Sequence, residues 1–316
     1  MRALLWDGNV AQVVDHPRPQ PADGVAIVRV SVAGICNTDL ELVKGYMGFR
    51  GVLGHEFVGT VSEGAADWYG QRVVGEINFA CGHCAMCNRG LQRHCPTRRV
   101  MGILNADGAF AEYVAVPLAN LHRVSGAVDD EQAVFTEPLA AAFEILDQVS
   151  LAPGTDCVVL GDGKLGLLVA QVLFQAGVRV LAVGKHDDKL ALLRRRGVET
   201  VLLSAWRRTP VDVVVEATGS AAGLSMAIAA TKPRGTLVLK STVAEVTTLN
   251  LAPLVINEIS VVGSRCGRFV PALRALETGS VDVAPLISAQ LSLNHGVEAL
   301  RRAAAPGTLK VLLRPT

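Results

Sequence analysis

Residues 158–168, VVLGDGKLGLL, run from a continuous apolar strand through a glycine turn into a helix. Gly161, Gly163 and Gly166 set the spacing G-x-G-x-x-G in that turn. The first glycine allows the tight turn, the second lets backbone approach a pyrophosphate, and the third lets helix and strand pack closely. The helix that follows, opening on Lys164 and Leu165, offers backbone N–H donors to phosphate oxygens. A turn of this kind needs a parallel sheet around it, and the flanking sequence supplies one. KLGLLVAQVLFQAG is a helix ending at Gly177, VRVLAV a strand, and DDKLALLRRRG a helix ending at Gly197. VDVVVEATG and RGTLVLKS are further strands, with the helix SAAGLSMAIAATK between them. Strict strand–helix alternation with continuous apolar strands means a doubly wound parallel sheet covered on both faces.

The chain before about residue 135 has a different texture. Short alternating segments such as VAIVRVSVAG and HEFVGTVSEG read as a mostly antiparallel β region. The tail EALRRAAAPGTLKVLLRPT is a helix and a last strand that could return to this first region. With 316 residues there is room for two domains, and 50% hydrophobic residues suffice for both cores. Thirty basic against 29 acidic residues leave a net charge of +1, which gives no electrostatic footing to nucleic acid or a membrane surface. The N-terminal residues carry no signal-peptide pattern, and the apolar runs stop short of the ~20 residues that span a bilayer. The expectation is a cytoplasmic protein. Seven cysteines, an odd number clustered at metal spacing, speak against a secreted disulfide scaffold.

Cys81, Cys84, Cys87 and Cys95 have the spacing C-x2-C-x2-C-x7-C. Four thiolates saturate a tetrahedral zinc ion and leave no open position, so the expected role is structural. An iron–sulfur cluster can use similar spacings, but nothing else in the chain suggests one-electron chemistry. Other potential ligands are scattered: Cys36 in AGICNTDLEL, His55 and Glu56 in LGHEFVG, and Glu137 in VFTEPLA. Each sits at a turn, and together these donor types suit an open zinc site with room for water or substrate.

The strand after the glycine fingerprint bears on which dinucleotide fits. A site for NAD usually has Asp or Glu about 20 residues beyond the fingerprint, bonded to the ribose 2′-OH. Here that strand ends in Gly184, followed by Lys185 and His186. The expectation is NADP over NAD, with Gly184 leaving room for a 2′-phosphate and Lys185 pairing with it, Arg194 in support.

These motifs occur in one order along nearly the whole chain: GICNTDLE, GHEFVGTV, the four-cysteine lobe, DGAFAEYV, TEPLA, GDGKLG, VVEATG and GTLKVLL. The chain thereby resembles the zinc-dependent medium-chain dehydrogenase/reductase superfamily, the alcohol, polyol and glucose dehydrogenases. The resemblance implies a GroES-like β-rich catalytic domain over residues 1–138 and 284–316, with the zinc lobe at 81–95, and a Rossmann domain over 139–283. It implies Cys36 and His55 as catalytic zinc ligands, Glu137 as a third directly or through water, and Glu56 at or beside the metal. It gives Thr38 the hydroxyl that passes on the alcohol proton, while Asp39 organises the turn. Glu41 stands where the animal alcohol dehydrogenases carry a relay histidine. Thr218 would lie at the cofactor, and Lys310 would reach its pyrophosphate. The implied activity is hydride transfer between an alcohol or polyol, or its carbonyl partner, and the nicotinamide, in a homodimer or homotetramer with two zincs per chain. Three competitors are a sugar-specific dehydrogenase, a non-enzymatic nucleotide-binding relative, and a zinc-ribbon nucleic-acid binder, the last disfavoured by the +1 charge.

Overall fold

The computed structural model describes residues 1–242 and 248–315. The chain divides into two compact units, Met1–Glu137 with Ala272–Thr316, and Pro138–Pro271. The second unit runs to Pro271, whereas the family resemblance implies a boundary at 283.

In the first unit, the long strand Val25–Gly34, buried along most of its length with Arg29 exposed, organises a seven-stranded sheet. Glu56–Glu63 pairs with it antiparallel on one side, and Tyr113–Pro117 pairs with its first half. The chain's last strand, Lys310–Arg314, returns to pair with Ala33 and Gly34 through Leu313 and Leu312. The tail therefore joins strands from the N-terminal part of the sequence in one sheet. Its neighbour Ile287–Ser292 runs parallel to it, an exception to the otherwise antiparallel pairing of this sheet. The cysteine lobe lies between the short strands Asn78–Phe79 and Arg99–Met101, which pair with each other.

The second unit is a six-stranded sheet with every pairing parallel. Across the sheet the strands run Glu199–Leu202, Arg179–Gly184, Asp156–Leu160, Val211–Glu216, Thr231–Leu239 and Ser260–Gly263. That order reverses direction between Asp156–Leu160 and Val211–Glu216, the switch point where open α/β sheets bind ligands beyond their carboxyl strand ends. Val158, Leu160, Val183, Val214 and Leu237 form its buried core. Their near-total burial explains why these strands read as unbroken apolar runs instead of alternating ones.

Candidate active site and nucleotide site

In the first unit, Cys36 follows the strand Val25–Gly34 and precedes the helix Asn37–Leu42. The backbone N–H of Cys36 donates to Asp39 Oδ2 at 2.8 Å, which closes the turn. Glu56 starts the neighbouring strand and lies opposite Gly34 in the ladder. The pairing draws Cys36, His55 and Glu56 together, with one ligand atom from each within 4.8 Å of the others. Gly34 is needed for this packing, because a methyl there would collide with the Glu56 carboxylate. His55 and Glu56 are buried and Cys36 is half-buried.

The electrostatics of the cluster suit a cation. Asp39 Oδ1 lies 3.3 Å from His55 Nδ1, but the two are not aligned as a hydrogen bond. Both atoms, and Glu56 Oε1, are buried without a hydrogen-bond partner among the described residues. A buried polar atom left this way costs about 1–3 kcal/mol. Thiolate, imidazole and carboxylate in one cluster, with acceptor capacity unspent, is the donor chemistry of an open zinc site. Asp39 stands behind the His55 ring, where a carboxylate fixes the orientation of a ligating imidazole. Burial works against charge on His55, but the Asp39 carboxylate, with Cys36 in support, lifts the ring well above the ordinary histidine range.

Thr38 Oγ1 lies 3.8 Å from Cys36 Sγ, so the expected proton-passing hydroxyl does border the cluster. Glu41 accepts from Lys44 Nζ at 2.7 Å. Glu137, half-buried at the start of the helix Thr136–Gln148, is not part of the three-residue cluster. Lys310 departs from its expected role. Its ammonium is buried in the first unit, ion-paired with Glu56 and 3.4 Å from the Ile35 carbonyl oxygen, so no surface is left for a pyrophosphate. The physical reason is the register of the last strand, which points Lys310 inward at a buried carboxylate that needs a counter-charge.

The four cysteines form a separate cluster, every sulfur within 4.8 Å of the others. Their Sγ separations include 3.5 Å for Cys84–Cys87, 3.6 Å for Cys95–Cys81, 3.9 Å for Cys84–Cys95 and 4.0 Å for Cys81–Cys87. A regular tetrahedron with Zn–S bonds of about 2.3 Å has edges of about 3.8 Å, so the lobe is preshaped for zinc. Backbone N–H groups of His83 and Cys84 draw the Cys81 thiol down to about 6, while burial pushes Cys87 up to about 11.

In the second unit the first and third glycines of the turn make close contacts that a side chain would block. Gly161 has φ +119° and a methyl on it would lie 2.5 Å from the Ala217 carbonyl oxygen. A methyl on Gly166 would collide with the Gly161 carbonyl, so this glycine permits the close packing of helix Lys164–Gln175. Gly163, the N-cap, has open space where its side chain would be, the room a phosphate requires. Lys164 and Leu165 open the helix and are half-buried. Thr218 is tied down, its N–H and its hydroxyl each donating to Glu216 Oε1 at 2.6 Å.

The expected vacancy at Gly184 does not exist. The Asp162 side chain fills it: a methyl on Gly184 would lie 2.5 Å from Asp162 Cβ and 2.6 Å from its Oδ2. That oxygen accepts from the N–H groups of Lys185 at 2.7 Å and His186 at 2.6 Å, and meets the His186 ring at 2.9 Å. Lys185 is exposed beside it, while Arg194 is held by Asp187 and Thr200, each at 3.0 Å.

The Alcohol dehydrogenase GroES-like domain family matches residues 22–126, and the Zinc-binding dehydrogenase family matches residues 165–278. D-altritol 5-dehydrogenase of Agrobacterium fabrum is 30% identical over 95% of both chains. The chain is a member of the medium-chain dehydrogenase/reductase superfamily. Among solved structures, a zinc-binding dehydrogenase from Sinorhizobium meliloti bound to NADP superposes with a TM-score of 0.89, 30% identity and 99% of both chains covered. An Escherichia coli CFT073 alcohol dehydrogenase, rspB, complexed with NADH, superposes with a TM-score of 0.90, 26% identity and 99% of both chains covered. The chain is accordingly an oxidoreductase with a GroES-like and a Rossmann domain. Among the described residues no helix is long and apolar enough to cross a membrane.

Two residues of this dehydrogenase make contacts that the sequence does not announce. Asp39 closes the turn at Cys36, as its position implies, and it also faces His55, to which the C-x-x-D spacing is the available hint. Lys240, buried at the carboxyl end of strand Thr231–Leu239, donates to Ala141 O at 2.6 Å, and to Ser264 Oγ and Arg265 O at 3.1 Å each. It binds two strand-end segments to the helix Thr136–Gln148, and nothing periodic in the sequence marks it.

Proposed function

We propose that this dehydrogenase oxidises an alcohol or polyol, or reduces the matching carbonyl, with NAD(P) as hydride partner and zinc at two places in each chain. The observation that carries the reading is the meeting of Cys36, His55 and Glu56 with unspent buried acceptors and the Thr38 hydroxyl at its edge. Cys36, His55 and an acid, Glu56 or Glu137, would hold a zinc ion, which would supply a Lewis acid for the substrate alcohol. The nicotinamide supplies the hydride acceptor. The chain's own residues do the rest. Thr38 receives the proton from the substrate hydroxyl and hands it outward, toward Glu41. Asp39 holds the His55 ring in one orientation. Lys310 neutralises Glu56, so the buried cluster does not carry the full charge of its acids. The cysteine lobe, closed by four sulfurs, holds the second zinc and takes no part in the chemistry.

The relatives' names favour polyols and sugar-derived alcohols, D-altritol among them. A sugar dehydrogenase is the second reading within the same chemistry. Because Asp162 fills the space beside Gly184, the expectation of NADP from that space no longer stands. Seven cysteines, none of them in a disulfide, suit a reducing compartment, the cytoplasm in our reading. A homodimer or homotetramer accords with Val255 and Ile256, 76% and 77% exposed in the helix Ala252–Ile256, and light scattering of the purified protein tests it. The activity is tested with a panel of polyols and alcohols against each dinucleotide, alongside zinc analysis. Two zincs per chain, one lost in Cys36→Ser together with turnover, is the expected result. A single zinc unaffected by Cys36→Ser would overturn the reading.

A further inference from the structure

The acid that usually receives the ribose 2′-OH sits at the end of the strand after the fingerprint helix. In this chain that position is Gly184, and the carboxylate found there belongs to Asp162, from within the fingerprint turn itself. Only Gly184 makes the exchange possible, since any side chain at 184 would overlap Asp162. The Asp162 carboxylate is firmly placed. Among the described residues its hydrogen bonds, from the Lys185 and His186 N–H groups and with the His186 ring, all use Oδ2. Its other oxygen takes part in none of them, and the side chain is 11% exposed, so an acceptor remains at the surface of this corner. Burial disfavours its charge, but the His186 contacts and the Lys185 N–H outweigh that and hold the carboxyl below its ordinary range. The group is thus an anion at neutral pH. Arg194 is already paired with Asp187, and Lys185 is exposed.

We propose that Asp162 is the residue with which this chain discriminates between the two dinucleotides, replacing the missing strand-end acid and selecting a free ribose 2′-OH over a 2′-phosphate. A fixed anion accepts a hydrogen bond from a hydroxyl and repels a phosphate carrying about two negative charges. The proposal rests on the dinucleotide-dependent reading above and names the residue that sets its choice.

The experiment is titration of the zinc-loaded protein with NADH and with NADPH, followed by nicotinamide fluorescence, for wild type, Asp162→Asn and Asp162→Ser. Wild type is expected to bind NADH more tightly. In both variants the ratio Kd(NADPH)/Kd(NADH) is expected to fall about tenfold or more, through loss of like-charge repulsion. Circular dichroism melts verify that each variant is folded, and Asp162→Ser, which keeps a small acceptor, backs up Asp162→Asn. An unchanged ratio, including an equal weakening of both nucleotides, would overturn the proposal and leave Asp162 a loop-shaping residue. A wild type that binds neither nucleotide would instead defeat the dinucleotide reading itself.

Discussion

Lys310 and Glu56, 254 positions apart, form an ion pair in which the side chains are 1% and 0% exposed. The pair sits where the last strand joins the sheet beside Gly34. Lys310 Nζ also lies 5.6 Å from the centroid of the Phe135 ring. Removing one partner of a buried pair strands the other's charge. Lys310→Met is therefore expected to cost about 3–5 kcal/mol of stability. The double variant Lys310→Met/Glu56→Gln is expected to recover most of that loss, since no full charge then stays buried. Urea denaturation of wild type, Lys310→Met, Glu56→Gln and the double variant forms the cycle, and equal instability of Lys310→Met and the double variant would contradict the charge argument.

The Asp39–His55 contact predicts both a metal affinity and a pH dependence. Asp39→Asn removes the carboxylate behind the ring, and loss of such a group typically weakens metal binding about 10–100-fold. Zinc competition with a chelator should show that weakening at one site only, with the cysteine lobe still filled. In metal-free protein the raised pKa of His55 has a definite sign. Its folded value exceeds the unfolded value of about 6.5, so the stabilisation is complete below that pH and is lost as pH rises through the folded value. Melting temperatures of chelator-stripped wild type should therefore decline as pH increases above 6.5. In Asp39→Asn this decline should be smaller. Zinc binding has the opposite trend, because the metal must displace the His55 proton, and occupancy falls as pH is lowered.

What the sequence displayed is what local spacing encodes. The cysteine lobe fits within 15 positions, and the fingerprint within six, so neighbours in the chain are neighbours in space. The alternation that announces the parallel sheet is equally local. Cys36, His55 and Glu56 come together through one strand pairing, which residue order alone does not display. The family resemblance implies a cofactor contact for Lys310, whereas strand register turns it toward Glu56. Asp162 carries no signal in the sequence because it occupies a variable position of the glycine fingerprint. Its meaning comes from packing against Gly184, 22 residues later, and that absent side chain reads as empty space until the neighbour filling it is seen.

The cysteine lobe should bind zinc in proportion to how readily its thiols ionise. Cys81 is near half-ionised at about pH 6, but Cys87, at about 11, keeps its proton through the neutral range. Zinc must expel that proton, so binding releases protons and strengthens as pH rises. Acidification from pH 7.5 to 5 is expected to release lobe zinc to a chromogenic chelator in Cys36→Ser, where only this site remains. Cys84→Ser is expected to lose lobe zinc at neutral pH and melt at a lower temperature. Release independent of pH would mean that the sulfurs are not the ligands.

Gly163 and Gly166 differ by three positions, yet their substitutions should fail in different ways. A methyl at Gly166 meets the Gly161 carbonyl, so Gly166→Ala must push the helix Lys164–Gln175 away from its strand. Overpacking of this kind costs about 1–3 kcal/mol and should appear as a lower melting temperature. A methyl at Gly163 meets nothing within 4 Å, and its φ of −75° is open to any residue. Gly163→Ala should therefore melt like wild type, while its methyl takes up room that the second fingerprint glycine keeps for a pyrophosphate. NADH titration should show affinity at least about tenfold weaker for Gly163→Ala. Equal affinity in Gly163→Ala and wild type would mean that the pyrophosphate does not approach this turn.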